Sequence, residues 1–140
     1  MGSWAAHIPD RIGHLQKAHR HACGTNVFTI DGDGYSLLWY EGEEDDYVRI
    51  DWDHGVVVTP PEKMFHQHFN IGNRPSRYLA VQFGTVRYPI RQVKKDSRGS
   101  KVDTSVEDGG NQIEYENQLP WIHKLWLGEM DRNGQGSEMG

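Results

Sequence analysis

Apolar and polar positions in this chain change places every few residues, and turn-forming residues cut the runs short. Residues 4–8 alternate weakly, as an edge strand does. Residues 27–30 are a β-branched and aromatic run that stops at Asp31-Gly32-Asp33-Gly34, a tight-turn signal. Residues 35–40, 47–52, 56–59, 65–70 and 78–83 repeat the pattern, with Gly, Pro, Asp or Asn between them. The short His-rich stretch 18–22 reads as a further strand. Short strands at regular spacing predict an all-β sandwich or barrel over residues 1–90. The pattern then dissolves: residues 91–110 are polar and charged, a loop or a lid over the barrel mouth. Order returns over 111–128, where Trp121, Leu125 and Trp126 follow Pro120 at helical spacing. This short C-terminal helix needs an apolar surface, either the barrel or a second subunit; Gly128 is its predicted stop, and 129–140 reads as tail.

Composition narrows the function classes. The chain has 140 residues, room for one domain with its own core. Lys and Arg number 15 against 20 Asp and Glu, a net charge of −5 that argues against nucleic-acid binding. The acidic residues gather at 41–46, a solvated hairpin tip. The longest apolar stretches, around 37–40 and 56–58, are too short to cross a bilayer. The first residues lack a secretory pattern, and the single cysteine, Cys23, fits a reducing, cytoplasmic compartment. The bland role for Cys23 is a small buried side chain.

Eight histidines are many for this length, and two His-x-His pairs account for half of them. His19 and His21 share one strand face, as do His66 and His68, because side chains alternate with period two. On neighbouring strands these imidazoles converge, and imidazole suits Zn, Cu, Fe and Ni. Asp31-Gly32-Asp33-Gly34 is not a calcium loop: Tyr35 holds a ligand position, and the twelfth position lacks its Glu.

The same residues carry a resemblance. Gly13-x5-His19-x-His21, with Gly32 in register, resembles the first cupin motif, G-x5-H-x-H-x3,4-E-x6-G. Gly55-x5-Pro61-x4-His66-x3-Asn70 resembles the second, G-x5-P-x-G-x2-H-x3-N, with Lys63 replacing the internal Gly. The segments His19-Arg20-His21, Thr59-Pro60-Pro61 and Phe65-His66-Gln67-His68-Phe69-Asn70 are also similar to those of gentisate and salicylate ring-cleaving dioxygenases. Those relatives usually carry two cupins per chain, so a homodimer is expected here.

The resemblance implies a cupin jelly-roll barrel whose metal ligands are His19, His21 and His66. The usual motif Glu is missing: Thr25, or on the alternative spacing Asn26, stands in its place. Three neutral imidazoles leave the full charge on a divalent metal, which favours chelating anions, and leave positions for such a substrate plus O2. Fe(II) is favoured, with Cu, Mn, Ni or Zn fitting the same donors. The expected reaction is oxidative cleavage of a hydroxy-aromatic acid or related small molecule. The other readings are a copper-dependent oxidative enzyme, a metal-dependent isomerase or lyase, and a non-catalytic ligand-binding cupin.

His68 is either a fourth ligand or the acid–base group. Gln82, Trp39, Phe83 and Arg77 are candidate substrate contacts: Gln82 as a polar residue in an apolar strand, Trp39 and Phe83 as pocket aromatics, Arg77 as a carboxylate clamp alongside Arg87 and Arg91. Gln67 and Phe69 have the opposite parity to His66 and His68, and Asn70 reads as a strand-end hydrogen-bonder.

Overall fold

The computed structural model describes residues 2–10, 13, 15–21, 25–84 and 103–134, with the backbone alone for 2–10 and 82–84. Seven strands form: β1 (Gly2–Asp10), β2 (Thr25–Asp31), β3 (Gly34–Trp39), β4 (Val48–Trp52), β5 (Val57–Val58), β6 (Phe65–Asn70) and β7 (Ser76–Gly84). They make two antiparallel sheets, ordered β1-β7-β2-β5 and β4-β3-β6.

Stretch 18–22, read above as a strand, departs from a regular ladder over its described part. Residues 15–21 run antiparallel to β6 through isolated bridges, Leu15 to Phe69 and His19 to His66. Their outer edge meets the segment after the long loop: Arg20 N–H donates to Asn111 O (2.9 Å), and Ile113 N–H donates to Ala18 O (2.8 Å). The end of that polar loop is therefore built into the fold. It carries a short 3-10 helix, Val106–Asp108, with Ser105 bridging Gln112.

β3 and β6 are buried along their whole length because both their faces are covered. Leu38 points between the sheets, where it packs with Val27, Trp52, Val58, Met64 and Tyr78. Tyr35, Leu37, Trp39, Phe65 and Phe69 point the other way and pack under helix α1 (Pro120–Arg132). Ile122, Trp126 and Met130, one helical face, close that second core. The barrel, one of the two surfaces expected, thus receives the helix.

The helix runs through Gly128, its predicted stop. An interior glycine costs about 1 kcal/mol relative to alanine. Met130 is 1% exposed in the core and Glu129 binds Arg49, and these anchors offset that cost. Gly34 is needed between the two faces: a Cβ there would lie 2.1 Å from Phe69 O and 2.3 Å from the Trp52 ring.

Candidate metal centre

The register that sets 15–21 beside β6 brings the two histidine pairs together. His19 N–H donates to His66 O (3.1 Å) and His66 N–H to His19 O (2.9 Å). One nitrogen from each of His19, His21 and His66 lies within 4.8 Å of the others, the one such cluster among the described residues. His21 and His66 are buried, while His19 is half-buried and forms the accessible side.

The tautomers of two rings are set by backbone carbonyls, which only accept. His19 Nδ1 donates to Lys17 O (3.2 Å) and His66 Nδ1 to Met64 O (3.1 Å). Each Nε2 therefore keeps its lone pair, the state a metal ligand needs. Burial holds His19 below its ordinary pKa, against the Lys17 carbonyl and Asp103. Burial pushes His66 further down, helped by repulsion from His19, His68 and His21. The donors of this cluster fit a divalent cation.

Thr25 opens β2 and turns inward: its Oγ1 lies 3.2 Å from His21 Nε2, and the residue is buried. Asn26 has the opposite parity and accepts from Thr59 Oγ1 (2.9 Å). Of the two residues weighed for the usual Glu position, Thr25 is the one at the site.

His68 stands one step deeper, its ring 5.8 Å from that of His66 and outside the three-nitrogen cluster. Ser36 Oγ contacts His68 Nδ1 (2.7 Å) and accepts from Trp52 Nε1 (3.0 Å). Ser36 is fully buried, so its hydroxyl hydrogen goes to His68 Nδ1. His68 then carries its proton on Nε2. Burial, then His19 and His21, push its pKa down to about 3. It is a neutral donor at physiological pH. Sequence reasoning missed Ser36, although a polar residue in the apolar run 34–39 was the same signal that singled out Gln82.

The remaining candidates fall elsewhere. Trp39 is in the helix-side core, stacked on Phe65 (6.0 Å), across the sheet from the histidines. Arg77 is exposed on β7. Gln82 is the register partner of Thr25 and Phe83 that of Ser3; their side chains lie outside the described residues, as do Cys23, Arg87, Arg91 and residues 91–102 and 135–140. Arg20 turns away from the cluster to Glu41 (2.8 Å) and lies over the Phe65 ring (4.5 Å). Asn70 caps its strand, bonded to Arg74 O and Gly72 N–H (both 3.0 Å).

Two facing antiparallel sheets with a histidine cluster between them form a jelly-roll β-sandwich. Solved structures share that fold. Oxalate decarboxylase of Bacillus subtilis is similar over 57% of this chain and 21% of its own, at 20% identity and TM-score 0.52. The CENP-C cumin domain of Drosophila melanogaster matches over 56% of this chain and 57% of its own (10% identity, TM-score 0.52). The plu4264 protein of Photorhabdus luminescens matches over 59% and 63% (12% identity, TM-score 0.52). This chain thus spans about a fifth of the decarboxylase. No protein-family model and no curated protein sequence matches it. Among the described residues no helix is long and apolar enough to cross a membrane.

Proposed function

We propose that this chain is a metal-dependent cupin enzyme, a non-haem Fe(II) dioxygenase that cleaves a chelating hydroxy-aromatic acid. The observation that carries the reading is the donor set: three neutral imidazoles with a hydroxyl, Thr25, where related sites put a carboxylate. A divalent ion held by His19, His21 and His66 would keep its full charge and supply Lewis acidity and, as Fe(II), electrons to O2. Manganese fits the same donors; the B. subtilis decarboxylase has Mn(II) centres.

The protein's own groups have defined tasks in this scheme. The Lys17 and Met64 carbonyls hold two ligand rings in their metal-binding tautomer. His68 Nε2–H, backed by Ser36 and Trp52, offers a hydrogen bond to a bound anionic oxygen. Leu38, Val58, Met64 and Tyr78 keep the surrounding core dry, which strengthens that bond. The likeness of the motif segments to gentisate and salicylate dioxygenases supports the substrate class.

The test is Fe(II) loading under anaerobic conditions, addition of gentisate or salicylate, then admission of O2 in an oxygen electrode. The expected result is stoichiometric O2 uptake with loss of the aromatic absorbance. Fully loaded protein that consumes no O2 with any hydroxybenzoate overturns the dioxygenase reading.

A further inference from the structure

On the face of β6 away from the histidines lies a cavity of about 240 Å³, between the sheet, the 106–119 segment and α1. Phe65, part of its lining, has the opposite parity to His66, so the β6 backbone separates this cavity from the metal centre. Its lining is mainly apolar. Trp39 and Phe65 supply stacked rings (6.0 Å), and Ile113, Leu119 and Ile122 supply aliphatic side chains. An apolar cavity of about 150 Å³ takes up benzene, so this one has room for a ring carrying a short chain.

Three carboxylate residues join that lining, Glu41, Glu44 and Glu107. Glu41 and Glu107 are exposed, which puts them where the cavity opens to solvent. The chain already holds one organic cation there. Arg20 lies 4.5 Å over the Phe65 ring and donates to Glu41 at 2.8 Å, so an aromatic face and a carboxylate grip its guanidinium together. Both of those partners line the cavity. The ion pairs among the described residues engage neither Glu44 nor Glu107. Glu44 comes from the turn after β3 and Glu107 from the 3-10 helix, and they converge on one opening with charges that Arg20 does not balance. A cation settling there gains from both, and salt screens the gain.

We propose that the cavity is a second binding site, for a small amphiphilic cation: a primary amine on a short chain that ends in one aromatic ring. The ring enters among Trp39, Phe65 and Ile122, and the ammonium stays at the mouth with Glu44 and Glu107. The same carboxylates disfavour an anion, the reverse of what a divalent metal attracts. The site stands apart from the metal centre and from the reaction proposed there.

Methyl ¹³C NMR of the full chain at neutral pH tests this with phenethylamine, its neutral analogue phenylethanol and its anionic analogue phenylacetate. The Ile113 and Ile122 methyl signals, assigned with Ile113→Val and Ile122→Val, read occupancy through the ring current of the probe. Ile30, exposed on β2, is the control. The amine should move both cavity signals saturably in the millimolar range. Phenylethanol should bind at least about fivefold more weakly and phenylacetate more weakly still. Added salt should narrow the gap between amine and alcohol. The double variant Glu44→Gln/Glu107→Gln, which leaves the core untouched, should bring the amine down to the affinity of the alcohol and leave the alcohol unchanged. Unmoved Ile113 and Ile122 signals overturn the proposal. So does equal movement of Ile30, equal affinity for amine and alcohol, phenylacetate as tight as the amine, or an amine indifferent to the double variant.

Discussion

His19 and His66 face each other as a hydrogen-bonded backbone pair, their rings 4.4 Å apart and edge-on, and each ring is steered by the carbonyl two residues before it. The same local device thus operates on two segments far apart in sequence. If these rings hold the metal, His19→Ala or His66→Ala should lower bound Fe(II) or Mn(II) by at least about 100-fold in affinity, since even supporting groups are worth 10–100-fold. His68→Ala should retain the ion. Elemental analysis after gel filtration reads the outcome, and full occupancy in either ligand variant would contradict the assignment.

The depressed histidines set a pH dependence for the metal-free protein. Above the ordinary value of 6.5 neither the folded nor the unfolded chain protonates His68. Below 6.5 the unfolded chain takes up a proton that the folded one refuses until about pH 3, so stability falls with pH across that window. The slope is about 1.4 kcal/mol per pH unit for each such histidine. His66 adds to it, being lowered in the same direction. Urea midpoints from pH 7 downward should drop more steeply in the parent than in His68→Asn. Parallel curves would show that His68 is not buried as a neutral ring.

Lys63 sits at φ 62, the left-handed region, and its N–H donates to His21 O (3.0 Å). It occupies the position where the second motif has glycine. The other motif glycines keep the same sign of φ: 58° at Gly13, 109° at Gly32 and 90° at Gly55. Left-handed geometry costs a side-chain-bearing residue about 1–2 kcal/mol, while glycine costs about 0.5–1 kcal/mol in unfolded-state entropy. Lys63→Gly should therefore stabilise the protein by about 0.5–1 kcal/mol without changing metal affinity. A lower thermal midpoint would mean that the lysine side chain contributes more than its strain.

Arg49 ties the helix to the sheet. It donates to Glu129 (2.8 Å) and Asp51 (2.7 Å) and lies 4.3 Å over the Tyr35 ring. Glu129 is buried, so Arg49→Ala leaves a carboxylate short of its main partner and should cost about 2 kcal/mol, allowing for Arg49's partial exposure. Arg132 reaches the same carboxylate at 3.4 Å from a largely exposed position, and Arg132→Ala should cost under about 0.5 kcal/mol. Chemical denaturation of both variants makes the comparison. Equal losses would show that Glu129 is held by the pair jointly.

Much of the metal centre was legible because period-two alternation is a local property. The spacing of His66 and His68 put both on one face with Gln67 and Phe69 opposite, and the ladder with β3 bears this out. Trp39 was misplaced for a physical reason. β3 has a covered face on each side, so its aromatic and aliphatic residues do not mark which side holds the site. The choice between Thr25 and Asn26 needed the register of β2. The helix end needed Met130 and Arg49, partners that local propensity at Gly128 cannot register. The cavity behind β6 depends on residues 106–119 crossing the sheet, a packing that no local pattern encodes.

The bridge from His19 to Gln112 has a consequence for how the protein is made. His19 is flanked by β6 on one side and by the 111–113 segment on the other. During translation, with chain growth of about 5–20 residues per second, roughly 2–9 seconds separate the synthesis of His66 from that of Gln112. Through that interval every clustered histidine exists in the nascent chain, yet the outer edge that flanks residues 15–21 has not been synthesised. The histidine cluster therefore reaches its finished packing late in synthesis, once the 111–113 segment is available to flank His19.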